Sequence, residues 1–379
     1  MTKPSLLTLL AITLLAPLSS VTATANEWAV VPITRGDEPA ITQSIAMEVG
    51  RELGRQGRSV WRPESARVIF ERKISADPVA LSEQSLQRWM DDSLAGLRKL
   101  ALGERGAALE HLQSAVQMSR AALAYVNRDD ARAQRVLDTC LYLVRALLEV
   151  GEPVDARQQA QECTLLAPSG TPQALMHPPA ALALYEDARR QGAERSGKLI
   201  VESEKTGCTV RINGRPMGRT PFETSALRTG VYAVQVECGG GHPGRIHSAS
   251  VGANTTRLGI NTGIDGTVRT DPRLRLEYRA NSPATVRIAA ARSIARALPA
   301  RWVILVSEPD ADTIELDLVG EGGSQMGCAR IQAGPLGLRS DSLTTAVRDV
   351  VAGNCRDASA SNARVTTPSG AQSLFNSGN

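Results

Sequence analysis

The chain has 379 residues, with 43 basic and 39 acidic side chains intermixed along it for a formal net charge of +4, so it lacks the concentrated electropositive face that nucleic-acid binding demands. Only 3% of the residues are aromatic, so the core must be built mainly from Leu, Val, Ile and Ala. No Gly-x-Ser-x-Gly elbow, phosphate loop or His-Glu-x-x-His helix occurs, and no catalytic, cofactor or metal residue is expected.

Lys3 precedes an apolar run from Leu6 to Leu18 that ends at Ala23-Thr-Ala25, the small-residue pattern of a signal-peptidase site. Residues 1–25 read as a signal peptide, cleaved between Ala25 and Asn26. The run is shorter than the ~20 residues needed to cross a bilayer, and no later segment is long and apolar enough, so no transmembrane span is expected in the mature chain. The cleavage site carries no cysteine for lipid attachment. The mature chain is long enough for two to four domains at roughly 100 to 200 residues each.

Residues 26–75 predict a β-α-β-α start: a strand from Trp28 to Ile33, a helix with Ile41, Ile45, Val49 and Leu53 on one stripe, a strand at Ser59-Val-Trp61, and a further helix. Arg35-Gly-Asp37 falls in the loop before the first helix and is read as that loop, not as an adhesion tripeptide. About 50 residues bury little apolar surface unaided.

Residues 80–192 are predicted to be helical. Leu97, Leu100 and Ala101 precede a Gly103-Glu104 turn, and Ala108, Leu112, Ala115 and Val116 come after it at helical spacing. Leu137, Leu141, Val144 and Leu148 lead into Gly151-Glu-Pro153, after which Val154, Ala156, Ala160 and Cys163 form a small-residue stripe that ends before Pro168. The two pairs loosely resemble tetratricopeptide hairpins, with turns spaced more widely than the 34 residues of a strict unit. Such an array implies either a peptide-binding concave face or a plain spacer. His177-Pro-Pro179 opens a connecting helix from Ala180 to Arg190, with His177 as its capping turn residue and no carboxylate or nucleophile nearby in sequence.

Residues 197–262 read as a compact β-module. Cys208, Val210 and Ile212 share one face of a strand, Asn213-Gly214 closes a type I′ turn, and Gly218-Arg-Thr-Pro221 marks a second turn. From Val231 to Cys238 the residues Tyr232, Val234, Val236 and Cys238 alternate with polar neighbours; two short strands come next, near Arg245–Val251 and Thr255–Ile260. Asn254-Thr-Thr256 is read as a turn, not a glycosylation acceptor. The run from Asn213 to Pro221, followed by Leu227-Arg-Thr-Gly-Val-Tyr-Ala-Val-Gln-Val236, resembles the PEGA domain. The resemblance implies a noncatalytic module of exported bacterial envelope proteins, often joined to helical repeats. This chain adds a cysteine pair and a Gly239-Gly-Gly-His-Pro-Gly244 loop to the pattern.

Residues 284–355 predict a helix over Val286–Leu298, strands at Trp302–Val306, Ile314–Val319 and Met326–Ile331, and a helix carrying Leu343, Ala346, Val347 and Val350. This half and the N-terminal one are expected to pair into one α/β domain, with the helices and β-module inserted; two independent small domains are the alternative. The element order is similar to the α/β domain at the start of TolB-like proteins. Residues 356–379, poor in large apolar side chains, are expected to be a disordered tail.

The six cysteines fall two by two into separate regions, which suits domain-local disulfides in an oxidising compartment. Fifteen pairings are possible for six cysteines. Cys140 and Cys163 stand at nearly equal distances either side of Gly151; Cys208 and Cys238 share the inward face of their strands; Cys328 and Cys355 remain. The close spacing of a zinc site is missing, and a metal reading of Cys238, His242 and His247 would need Cys238 as a free thiolate. His111, His177, His242 and His247 lie in unrelated contexts.

The expected fold class is therefore multidomain α+β: α-helical repeat hairpins, a small antiparallel β-sandwich and an α/β domain formed by the N- and C-terminal regions. The expected function is that of a noncatalytic exported envelope protein, periplasmic or in the outer envelope, acting as a scaffold or accessory subunit through protein–protein binding. A cell-wall glycan or peptidoglycan binder is the alternative, ahead of an enzyme with an unrecognised site. An envelope protein or wall polymer is the expected partner.

Overall fold

The computed structural model describes residues 26–35, 40–168, 170–239, 243–278, 283–310, 313–332 and 340–356. The leader through Ala25, Gly36-Asp37, His242 and the tail beyond Arg356 lie outside the described residues. Among those described, eleven helices and three sheets give a mixed α/β architecture.

Strand β1 (Trp28–Arg35) runs through the middle of a seven-stranded sheet. Its alternate residues Ala29, Val31 and Ile33 enter a core with Ala66 and Phe70 of α2 (Pro63–Lys73), while Trp28 enters a second core with Ile45, Val49 and Leu53 of α1 (Ala40–Arg55). Burial on both faces explains why the strand is almost continuously apolar. Ile41 is exposed, so the buried stripe of α1 begins one turn later than expected. The strand expected at Ser59–Trp61 reduces to one parallel bridge, Trp28 to Val60, because the chain turns into α2 at once.

The helical region contains α3 (Glu83–Ala101), α4 (Arg105–Ala121), the single turn α5 (Leu123–Val126), α6 (Asp130–Glu149), α7 (Pro153–Leu166) and α8 (Pro179–Glu194). Ser82 and Asp129 cap α3 and α6 by accepting the backbone N–H three residues on. Helices α3, α4, α6, α7 and α8 pack in sequence, and α6 also touches α3 and α8. A Cβ at Gly96 would stand 2.5 Å from Leu112, so the α3–α4 approach depends on a residue without one. Ala156, Ala160 and Cys163 of α7 are fully buried on the side of α6 and α8, whereas Val154, expected in the same stripe, lies in the first turn of α7 and is exposed.

The β-module holds β2 (Ser196–Ser203), β3 (Thr209–Ile212), β4 (Arg215–Arg219), β5 (Phe222–Arg228), β6 (Gly230–Glu237), β7 (His247–Val251) and β8 (Thr256–Ile260). They form a four-stranded sheet in the order β4-β3-β6-β7 and a three-stranded sheet in the order β5-β2-β8 around one core that includes Leu199, Val210, Ile212, Tyr232 and Val234. The module is not purely antiparallel as expected. After β7 the chain crosses from the first sheet to the second, where β8 runs parallel to β2 from Leu199–Thr256 to Ser203–Ile260.

The chain then forms α9 (Thr262–Thr267), β9 (Val268–Arg269), β10 (Arg275–Tyr278), α10 (Ala284–Ala297), β11 (Trp302–Asp310), β12 (Thr313–Gly320), β13 (Gln325–Gln332), α11 (Ser340–Val351) and β14 (Cys355–Arg356). The large sheet has the order β14-β13-β12-β11-β1-β10-β9. β1 is parallel to β11 along Trp28–Pro32 and to β10 along Ile33–Arg35, so the first strand lies between two elements of the last third of the chain. Of residues 263–283, which the sequence left between domains, Val268–Arg269 and Arg275–Tyr278 supply β9 and β10 to this sheet.

Candidate functional site

The Asn213-Gly214 turn is the most specific local feature of the β-module, and the structure docks it against the helices. Both residues have positive φ, 49° and 83°, as a type I′ turn requires. Asn213 accepts the Ala233 N–H at 2.8 Å through its side-chain oxygen and donates its side-chain amide to the Leu165 carbonyl at 2.6 Å. From the helical side, Asn127 donates its amide to the carbonyls of Leu166 at 3.0 Å and Asn213 at 2.9 Å. A Cβ at Gly214 would stand 2.9 Å from the Ala124 carbonyl oxygen, so only glycine fits.

Charged side chains frame this contact. Arg128 and Arg211 donate to the two oxygens of Glu237 at 2.5 and 2.8 Å, and Arg215 reaches Asp130 at 2.6 Å. Burial alone would raise the Glu237 carboxyl, but the hydrogen bonds from Arg211 and Arg128 outweigh it and hold the group below the usual carboxylate range. Arg228 of β5 donates to the Gln161 carbonyl and to Thr164 of α7, both at 2.8 Å.

The other side of the module is fixed to the α/β unit by Arg245, whose side chain is 1% exposed. Its guanidinium pairs with Asp77 and donates to the Ser75 hydroxyl at 2.9 Å, the Ser75 carbonyl at 2.7 Å and the Val268 carbonyl at 2.9 Å. It lies 5.6 Å over the Phe70 ring. Burial lowers its pKa and the Asp77 charge opposes that shift. Next to it, Ala76 and Ile246 exchange backbone hydrogen bonds at 2.9 and 2.8 Å, and His247 Nε2 lies 2.8 Å from buried Asp265.

The structure contains three disulfides, Cys140–Cys163, Cys208–Cys238 and Cys328–Cys355. Cys238 is therefore no thiolate, and His247 is engaged by Asp265, so these two side chains build no metal site together. His177 corrects an expectation: its Nε2 lies 3.0 Å from Asp138 of α6, its ring packs 4.9 Å from Tyr142, and the cap of α8 is Pro178. Asp138 is 39 residues away in sequence, beyond any local reading. Asp92 joins His111, 2.9 Å from its Nδ1, to the Ser114 hydroxyl at 2.8 Å; here the carboxylate stands between the other two, not behind a histidine base. Asn26 accepts from the Ser59 hydroxyl at 2.8 Å, and Arg35 donates to the Pro309 carbonyl at 2.7 Å. Thr256 donates to the Ser250 carbonyl at 2.8 Å, consistent with a turn at Asn254.

Sequence reasoning missed Asn127, Asp77 and Arg245, which form these junctions with partners distant in the chain. It also missed a cavity of about 350 Å³ beside β1, walled by α1, α2 and the segment before β10.

A PEGA domain is found at residues 196–242, spanning β2 to β6 and the Cys208–Cys238 disulfide. No curated protein and no solved structure matches the chain.

Proposed function

We propose that this chain is a noncatalytic, exported bacterial envelope protein that acts as a scaffold or accessory subunit by binding another protein. The observation that carries this reading is the burial of the PEGA hairpin tip against the helices at Asn127 and Asn213. The module's most distinctive turn is spent on internal docking, and Arg245 fixes its opposite side. Three units are thus held at fixed separations, an arrangement suited to presenting surfaces and not to closing on a small substrate. In this reading the helical pairs act as a tetratricopeptide-like array.

Three disulfides suit an oxidising compartment outside the cytoplasm. Among the described residues no helix is long and apolar enough to cross a membrane. The export reading also rests on the leader pattern that ends at Ala25.

The test is photocrosslinking in the source cell with a reactive side chain at exposed Leu94 of α3 or Val154 of α7, together with cell fractionation. One discrete adduct in the envelope fraction supports the scaffold. Co-sedimentation of the purified chain with sacculi and no protein adduct replaces it with glycan binding. A cytosolic chain with all its thiols reduced removes the reading.

A further inference from the structure

We propose that the cavity between β1, α1 and α2 is a binding site for a small monocarboxylate with an apolar body. It lies away from the module junctions, and its occupancy does not depend on the scaffold reading.

The shape arises from the edge of β1. Val60 bridges that edge at Trp28, and β10 takes it up again only from Ile33, so the strand between them borders open space instead of a neighbouring strand. Val30, Ala46, Met47 and Leu274 supply apolar walls. The volume of this half-open cavity, about 350 Å³, falls within the roughly 300 to 1,000 Å³ usual for small-molecule sites.

The polar groups select the ligand. Gln43 and Trp61 line the cavity with other atoms, while Gln43 Nε2 and Trp61 Nε1 are buried behind its wall. Arg51, Arg62 and Arg273 stand in the same wall with a single carboxylate, Glu64, which is 3.7 Å from Arg273. Three guanidinium groups against one carboxylate match an anionic carboxylate, and the walls match a hydrocarbon or aryl body.

The test is calorimetric titration of the full chain with sodium octanoate and, separately, sodium phenylacetate. Their relative affinities distinguish a fatty acid from an aromatic acid as the natural class. Expected is saturable one-to-one binding of at least one of them, with neutral 1-octanol and cationic octylammonium weaker by about tenfold or more. At Gly50 of α1 a Cβ has its nearest neighbour, Val60 Cγ1, at 4.0 Å, so Gly50→Leu should fill the cavity and abolish binding without lowering the Tm. The double variant Arg51→Gln/Arg62→Gln alters exposed positions only. It should weaken octanoate about tenfold or more and leave octanol unaffected. Absence of saturable binding by both acids up to millimolar concentration overturns the proposal. So does octanol binding as tightly as octanoate, a folded Gly50→Leu protein that still binds, or a double variant with unchanged octanoate affinity.

Discussion

Asn127 donates its side-chain amide to the main-chain carbonyl of Asn213, 86 residues further along the chain, at 2.9 Å. The same amide holds the Leu166 carbonyl at 3.0 Å, so one buried side chain joins the end of α5, the end of α7 and the tip of the β3–β4 hairpin. The hairpin is thereby a tenon in the helical region.

Asn127→Ala should leave both carbonyls buried without this donor and lower stability by about 1 to 3 kcal/mol. Asn127→Asp should be no better, since an ionised carboxylate donates nothing. Urea denaturation measures the loss, and faster amide exchange in β3 and β4 should accompany it. A loss confined to a few tenths of a kcal/mol would show that the tip is not held here.

Arg245→Met should cost about 3 to 5 kcal/mol, because the Ser75 and Val268 carbonyls lose their buried donor and the part-buried Asp77 loses its cation. Adding Asp77→Asn should recover part of that cost, as one member of a pair relieves the loss of the other. Scanning calorimetry should show the β-module melting more independently of the α/β unit in the variant than in the parent.

Asp317 gives a pH dependence of the less common sign. Burial first, and the neighbouring Glu315 charge second, push its pKa up to about 6, against the opposing pull of Arg287. Between the ordinary carboxylate value and about 6 the folded state therefore holds a proton that the unfolded chain has released. Its contribution favours folding at low pH and is lost as pH rises from the ordinary carboxylate value through about 6. Asp317→Asn should accordingly be more stable than the parent at pH 7.5, by about 1 to 3 kcal/mol, and equal to it at pH 3.5. Denaturation midpoints across that range decide the matter, and a variant less stable at pH 7.5 would refute the sign.

Replacing Cys140 and Cys163 with alanine should cost about 2 to 4 kcal/mol, since their bridge closes a loop with a sequence separation of 23. The loss should be concentrated in α6 and α7, where amide exchange would accelerate. Equal acceleration in β12 and β13 would mean that the bridge stabilises more than its own helix pair.

Much of the architecture was legible because local signals were strong. Asn213-Gly214 announces its turn through two positive φ values, and Tyr232, Val234 and Val236 announce a half-buried strand through alternation. Leu112, Ala115 and Val116 do the same at helical spacing. Segment 263–283 carries no such signal: β9 has two residues and β10 four, and each is a strand only because a long neighbour pairs with it. The junctions were opaque for a related reason. Nothing around Arg245 distinguishes a surface arginine from one whose partners are Ser75 and Asp77, about 170 residues earlier. The cavity was equally hidden, as it is a gap between β1 and β10 and no residue pattern encodes a gap.

The central position of β1 sets an order of events during synthesis. Arg35 leaves the ribosome early, yet the Pro309 carbonyl it contacts is 274 residues behind it. Until β10 and β11 arrive, the opening strand has no ladder and its apolar side chains have no roof, so the nascent chain carries an aggregation-prone segment for most of its translation. The helices and the β-module, made almost wholly of nearby residues, can form while it waits. Nonsense mutations anywhere before Trp302 therefore unroof the beginning of the protein as well as deleting its end.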